Sequence, residues 1–480
     1  MANQILVVNQ FSGGISDAEK TGVQGSFGFG QKLKITDDPN QITVQPATTK
    51  VSASVATDLI KWIVPAIPDE SKIYYYGDSG KIYRSNTDGT SFEELRAVAA
   101  SNGQGMWLHN GFIYYTQNTQ VGRYNISTTT FTDNWQTGLD DTSTSKFAPG
   151  IPFLAGFVVG HGNKVGWFDG STWTTAKLTL PPGVRVRSLE LINDYVAIGT
   201  WRGTAITDTE EGYVFFWDGT ASTFNFPVAT QGGGINTMLN SRNRMLSVIG
   251  GNGLLMQGYE PFNKLQAIPK LTLDKYVEVF PGAMSNWRGL AHIGVSGNTD
   301  STTVVQGVYQ WGSKSSRYPE ALNFTFPIST GTTTGTTLKI GAVKGNGNNL
   351  FIGWRDGATY GVDRVLNSGN PYAQAIYESL IFDNGNPGKE KQAKTIKASH
   401  VALLSDESIQ LGYKMDRDTS YATGTANSTV GSTETRLPIP SDARFYEFQW
   451  EVILNSAATT APVVTSTSFE FDDGESERIF

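Results

Sequence analysis

Apolar residues along this chain come in short bursts, each closed by Gly, Asn, Asp or Ser, and the bursts recur at a nearly regular spacing. The recurring unit is a turn, an apolar strand often ending in Gly, a second turn, and a second strand rich in aromatics. The first strands are Tyr74-Tyr75-Tyr76-Gly77, Phe112-Ile113-Tyr114-Tyr115, Phe157-Val158-Val159-Gly160, Tyr195-Val196-Ala197-Ile198-Gly199, Met245-Leu246-Ser247-Val248-Ile249-Gly250, Leu290-Ala291-His292-Ile293-Gly294 and Leu350-Phe351-Ile352-Gly353. Their downstream partners are Lys81-Ile82-Tyr83, Gly122-Arg123-Tyr124, Gly166-Trp167-Phe168, Val214-Phe215-Phe216-Trp217, Leu254-Leu255-Met256, Val308-Tyr309-Gln310-Trp311-Gly312 and Thr359-Tyr360-Gly361-Val362. Runs this short, bounded by turn formers, predict β-hairpins rather than helices.

Successive first strands begin 38, 45, 38, 50, 45 and 60 residues apart. A four-stranded propeller blade takes roughly 40–50 residues. The fold class expected is therefore all-β, with a β-propeller of about seven blades over residues 51–371. One blade cannot bury both of its faces, so blades must stack around an axis, and ring closure then protects most edge strands. Residues 51–68, with Leu59, Ile60, Trp62, Ile63 and Val64, supply the innermost strand of the first blade or complete the last one. An array of immunoglobulin-like domains is the competing architecture, and it needs about 100 residues per unit, twice the observed period.

The two ends have a different texture. Residues 1–50 contain Phe11-Ser12-Gly13-Gly14-Ile15-Ser16, a glycine-dense stretch from Gly22 to Gly30, and Thr36-Asp37-Asp38-Pro39. So much glycine leaves little apolar surface to offset ordering entropy, which predicts an extended arm held by a neighbouring subunit. Residues 372–480 carry period-two runs at Ala375 to Phe382, Ile409 to Tyr413, Phe445 to Val452 and Val463 to Phe469. These predict a C-terminal antiparallel β-sandwich domain, with Thr419 to Thr435 as a solvated loop.

Composition narrows the function classes. Charged residues are only 17% of the chain, and 37 Lys plus Arg against 44 Asp plus Glu give a net charge of −7 without long single-sign blocks. That excludes a surface that coats nucleic acid, which needs clustered cations. With no cysteine, disulfides, thiolate metal sites and a Cys nucleophile are impossible. The first residues, Met1-Ala2-Asn3-Gln4 and then Ile5-Leu6-Val7-Val8, lack the cationic region and length of a signal peptide, and no run suggests a membrane anchor.

Candidate chemistry is sparse. Gly77-Asp78-Ser79-Gly80 matches the surroundings of a chymotrypsin-like serine, but the matching chain order needs a preceding His, and His109, His161, His292 and His400 all follow. A hairpin turn is the simpler reading. The four histidines lie on separate predicted elements without metal-ligand spacing, and His292 reads as a satisfied core residue. Gly25 to Lys32 has the composition of a phosphate loop but lacks the Gly-Lys-Ser/Thr ending. The sequons at Asn125, Asn323 and Asn427 have no meaning without a secretory route. Asp-Gly followed by small residues and an aromatic recurs at Asp88, Asp169 and Asp218 and resembles the structural Asp-box turns of sialidase-type propellers. A sialidase would further need an arginine triad, a Tyr nucleophile and an acid, and no such set can be picked out. No catalytic, cofactor-binding or metal residue is assigned, and neither enzyme activity nor a cofactor is expected. The 11 Trp, 19 Tyr and 25 Phe favour seam packing, with Trp167, Trp217 and Trp311 at equivalent repeat positions. Stacking on sugars by exposed aromatics, a glycan-binding receptor-recognition propeller, is the alternative.

A Phe-Ser-Gly-Gly-Ile start (Phe11 to Ile15), a Gly-Ser-Phe step (Gly25 to Phe27) and a Leu-x-Ile-x-x-Asp-Pro stretch (Leu33 to Pro39), followed by blades and a terminal β-domain, resemble structural proteins of tailed-bacteriophage virions. The nearest likeness is to the propeller-bearing tail nozzle proteins of short-tailed phages. The resemblance implies a nozzle or tail-tube-end component, made in the bacterial host cytoplasm and residing in the virion tail. It implies copies of the chain in a cyclic ring, with six-fold symmetry as one option, that extends the DNA channel, with tail or portal-adaptor proteins as neighbours. Genomic DNA would only pass through, which a mildly acidic wall suits.

Overall fold

A computed structural model describes residues 2–16, 18–51, 57–65, 71–97, 102–140, 147–202, 212–230, 233–242, 244–249, 254–259, 266–267, 278–297, 305–314 and 318–473. Every regular element among them is a strand. The chain divides into two compact units: Thr48–Val308 with Pro327–Val365, and Met1–Ala47 with Tyr309–Phe326 and Leu366–Phe480.

The larger unit is built from repeated antiparallel sheets. Ile60–Pro65, Lys72–Gly77, Ile82–Asn86 and Glu93–Arg96 form blade one; Gly103–His109, Phe112–Gln117, Gln120–Asn125 and Thr130–Thr137 form blade two. Blade three is Gly150–Phe153, Gly156–His161, Lys164–Phe168 and Trp173–Thr179, and blade four is Arg185–Ile192, Tyr195–Trp201, Tyr213–Trp217 and Phe226–Ala229. Blade five is Ile235–Ser241, Arg244–Ile249, Leu254–Tyr259 and Gln266–Ala267, and the inner pair of blade six is Met284–Trp287 and Leu290–Val295. Blade seven is Lys339–Asn346, Asn349–Asp356, Thr359–Leu366 and, as its outermost strand, Thr48–Lys50.

Each innermost strand touches the next in this order, and Lys339–Asn346 touches Ile60–Pro65. The cycle is closed, so the unit is a seven-bladed β-propeller. The latch is Thr48–Lys50, paired through Thr48↔Val365 and Lys50↔Asp363, with Val51 N–H donating to the Val362 carbonyl at 2.8 Å. The chain thus starts the wheel on the outside of its last blade and crosses to the inside of its first. The segment read from sequence as serving one role or the other supplies the inner strand, while residues just before it serve as the latch. The bursts visible in the sequence are the second and third strands of blades one to five and seven, and in blade six Leu290–Val295 is the second.

Period-two alternation sends the side chains of one strand into two different seams. Tyr74 and Tyr76 pack with Met106, Ile113 and Tyr115 of blade two, while Tyr75 packs with Ala342, Phe351 and Val362 of blade seven. Trp107 and Tyr114 meet Phe157 and Val159 between blades two and three. Val158, Val165, Trp167, Val186, Ile198 and Trp217 fill the seam between blades three and four, where Trp167 meets Trp217 edge-on at 5.7 Å. Such aromatic pairs add roughly 0.5–1.5 kcal/mol each beyond area burial.

Turn chemistry fits the local geometry. The two-residue turns between first and second strands place Asn110 (φ 46°), Leu154 (φ 51°), Asn193 (φ 48°), Arg242 (φ 55°) and Arg288 (φ 53°) in the left-handed region, as twisted hairpins require. Between third and fourth strands, Asp88, Asp169 and Asp218 each accept from backbone N–H groups two or three residues on, so these turns have the Asp-box form expected of them. Asn125 does the same to Ser127 and Thr128, a fourth member whose Asn disguised it as a sequon.

The smaller unit is a sandwich of two sheets. One is Ala2–Val8, Val464–Asp473, Lys391–His400 and Glu434–Pro438 in that order, with Arg444–Phe445 also on Lys391–His400. The other includes, in order, Gly307–Gly312, Ala321–Phe326, Phe29–Gln31, Gln374–Glu378, Phe448–Asn455, Ser408–Met415 and Ala422–Thr423. Phe448 and Phe469 stack between them at 3.8 Å and 5°, amid Tyr377, Ile396, Ile409, Trp450 and Phe471.

This grouping differs from the expected division into 1–50, 51–371 and 372–480. The N-terminal segment is no arm reaching a neighbouring subunit: Phe11, Phe27, Leu33 and Ile42 are fully buried in the sandwich core of their own chain, and Ala2–Val8 pairs with Val464–Asp473. Sparse apolar residues suffice because each one enters a core built by distant strands. Residues 309–326, expected in the propeller, also belong to this unit. Thr419 to Thr435 is tied down as well, through Gly424 N–H to the Leu411 carbonyl at 2.9 Å and reciprocal Ile409–Asn427 bonds at 3.1 and 2.8 Å.

Candidate functional site

The polar groups that converge most closely in the wheel lie where its inner strands begin. Five of these strands skip one residue in their pairing with the second strand, at Lys61, Gln104, Arg187, Asn236 and Gly341. A bulge of this kind turns a side chain out of the strand's alternation. Repeated at equivalent places around a ring, it aims Lys61 of blade one and Arg187 of blade four at the axis.

Residues from non-adjacent blades meet there. Lys61 Nζ lies 5.1 Å from the ring centre of Phe147, just before blade three, and 5.8 Å from Phe280, just before blade six. The two rings meet at 6.1 Å and 70°. The Arg187 guanidinium sits 4.7 Å over Phe147 and 5.9 Å from Trp201. Each cation over a ring contributes about 0.5–2 kcal/mol, more where water is excluded. Together these side chains form an axial stopper of packed rings and cations that bridges non-adjacent blades.

The stopper's charges are paired. Arg187 Nε donates to the Asn236 carbonyl at 3.1 Å, and its Nη2 reaches Glu278 Oε1 at 3.3 Å and the Val279 carbonyl at 3.4 Å. Burial lowers the guanidinium's pKa while Glu278 opposes that shift. Lys339 of blade seven lies 3.7 Å from Glu278 Oε2, and Lys61 pairs with Asp78. Further along the inner strands, Glu190 of blade four and Lys344 of blade seven attract one another from blades that are not neighbours. Burial pushes the Glu190 carboxyl up to about 7 and the Lys344 ammonium down.

The motifs weighed in the sequence fall elsewhere. Ser79 sits in the turn between the second and third strands of blade one, where its N–H donates to Asp58 Oδ2 at 2.7 Å and its hydroxyl donates to the same oxygen, with no His beside it. Burial raises the Asp58 pKa. His109, His161, His292 and His400 remain on separate strands. His161 is locked between the Asp140 N–H at 3.0 Å and the Thr175 carbonyl at 2.8 Å. Among the described residues no three His, Asp or Glu side chains gather as a metal site. Gly25 to Lys32 is sandwich structure: Phe27 is core, and Lys32 sits 5.2 Å over Tyr372. Trp217 and Trp311 are buried. The bulged residues escaped the sequence reading because their one signal, a polar or glycine residue breaking a short apolar run, is common in turns.

No family model matches the sequence, and no curated protein matches it. Solved structures similar to the chain include the WD40 repeats of RRP9 (13% identity, 68% of this chain and 99% of that one, TM-score 0.48). U3-55K is similar at 12% identity, 67% and 99% coverage and a TM-score of 0.48. A chain of the mitotic checkpoint complex is similar at 12% identity, 67% and 95% coverage and a TM-score of 0.46.

Proposed function

We propose that this chain is a structural protein of a bacteriophage virion, a tail component at the nozzle or tube end that forms a cyclic ring with copies of itself. The carrying observation is the stoppered axis. Phe147, Phe280, Lys61 and Arg187 bridge non-adjacent blades there, which favours the stiffness of the wheel as its useful property. DNA in this reading passes along the axis shared by the subunits, outside every individual wheel. The motifs from Phe11 to Pro39 support the same assignment, and so does a net charge of −7, which gives DNA little to adhere to. Electron microscopy of purified particles, with mass spectrometry of their proteins, tests it. A ring of this chain in the tail is the expected result, and a soluble protein absent from particles ends the proposal. The glycan-binding alternative draws less support, since no Trp is among the exposed large apolar residues described.

A further inference from the structure

The sandwich has one outward sheet edge unlike the others. Ala2–Val8 ends its sheet, paired on one side with Val464–Asp473 and on the other with no described strand. Its even-numbered residues Leu6 and Val8 pack on the core, while Ile5 and Val7 are 60% and 54% exposed. A free, flat apolar edge is a template for another strand unless something blunts it.

The outer edges of the blades and the far edges of the two sandwich sheets are blunted or short. Glu93–Arg96 carries Glu93, Glu94 and Arg96 and a register break; Thr130–Thr137 carries Asp133 and a break; Trp173–Thr179 carries Lys177 and a break. Phe226–Ala229 contains Pro227, and Glu434–Pro438 contains Glu434, Arg436 and Pro438. Thr48–Lys50 is three residues long and ends in Lys50, and Gln266–Ala267 and Ala422–Thr423 are two residues each. Ala2–Val8 has seven residues, no Pro, no charge and an unbroken register.

We propose that this edge pairs with the same edge of a second copy of the chain, antiparallel across a two-fold axis, so that two sandwich sheets become one continuous sheet. Charge selects the occupant. A strand meeting its own copy about a two-fold axis brings a charge near its centre close to its equal, and this sequence has no charged side chain before Asp17. The register that sets Ile5 against the copy's Val7, and Val7 against its Ile5, covers the exposed apolar pair on both sides. A two-fold contact cannot lie within a ring whose copies are related by a single rotation axis, so this pair describes the chain before incorporation. The inference stands apart from the virion reading: its outcome is the mass of the purified protein, whatever particles contain.

The test is sedimentation equilibrium of the full chain with Ile5→Lys/Val7→Lys as the variant and Val430→Lys, at another exposed apolar site, as control. The wild type and the control should be dimeric, and the double variant should dissociate at least about ten-fold more readily. Hydrogen exchange should show amides of residues 2–8 losing protection in the double variant while residues 464–473 keep theirs, which separates lost pairing from lost folding. A synthetic peptide of the Ala2–Val8 sequence should compete. A monomeric wild type overturns the proposal, as does a dimer indifferent to the two lysines or one dispersed equally by Val430→Lys.

Discussion

The wheel and the sandwich are made of the same material and held together in opposite ways. In the wheel nearly every pairing joins strands adjacent in sequence, such as Phe112–Gln117 with Gln120–Asn125, and five of the seven seams each have a described core cluster of their own. In the sandwich the partners are remote, Ala2–Val8 with Val464–Asp473 and Phe29–Gln31 with Gln374–Glu378, and one cluster serves both sheets. Local pairing with a partitioned core spreads stability over many replaceable contacts, whereas remote pairing concentrates it on a few rings that every strand shares.

The largest expected effect tests that concentration. Phe469 touches Phe448, Phe445, Trp450, Phe471 and Phe382. Phe469→Ala should cost about 4–5 kcal/mol in denaturant unfolding, at the top of the range for such truncations. A cost below about 2 kcal/mol would show that the sandwich core is as divided as the wheel's. Next comes the stopper, where the wheel, as at its Thr48–Lys50 latch, depends on contacts remote in sequence. Arg187→Met strips Glu278 of its buried partner and should cost about 3 kcal/mol, because among the described residues the carboxylate's remaining cation is Lys339 at 3.7 Å. Adding Glu278→Gln should recover part of that loss in a double-mutant cycle.

The same contrast appears in two buried acids. Glu190 in the wheel and Glu451 in the sandwich are both held up at about 7, chiefly by burial, with Lys344 opposing the first shift. Glu378, directly opposite on the neighbouring strand, adds to the second, and Lys414 opposes it. A carboxyl whose folded pKa is raised binds its proton more tightly in the folded state. Its contribution is therefore present below the unfolded value near 4.5 and is lost as pH rises toward about 7. Unfolding at pH 5 and pH 8 should show wild-type stability falling, with Glu190→Gln removing roughly 2–3 kcal/mol of the fall. Glu451→Gln should act in the same direction, and added salt should reduce its share more, since part of that shift is repulsion between neighbouring carboxylates.

Legibility in the sequence follows the same divide. Blade strands two and three could be read because both their faces enter seams, giving near-continuous apolar runs such as Tyr74 to Tyr76 or Val214 to Trp217. Inner strands were hidden because bulges at Gln104, Arg187 and Asn236 break their pattern. Outer strands such as Thr130–Thr137 were hidden because they are largely exposed and polar. In the sandwich, Lys391–His400 buries Ala393, Ile396 and Ala398 behind a run of lysines and a register break, so alternation is lost. The placement of Phe11 and Phe27 in that core depends on strands more than 300 residues away, which no local pattern encodes. Pairing in the axial stopper is likewise a property of ring closure: Lys61, Phe147, Arg187 and Phe280 share no motif.

The smallest prediction concerns a wheel turn that breaks its own rule. Where other blades place Asn110, Asn193, Arg242 or Arg288, blade three holds Leu154 at φ 51° and 67% exposed. A left-handed backbone costs a residue with a Cβ roughly 1–2 kcal/mol, and Asn escapes part of that through its short polar side chain. Leu154→Asn should therefore raise stability by about 0.5–1 kcal/mol in denaturant unfolding. The opposing contribution is the packing of Phe153 and Leu154 beside Gly219 in the Asp218 turn of blade four. If Leu154→Asn destabilises, that contact between turns outweighs the strain, and the wheel owes more to links between blades at its rim than the partitioned seams suggest.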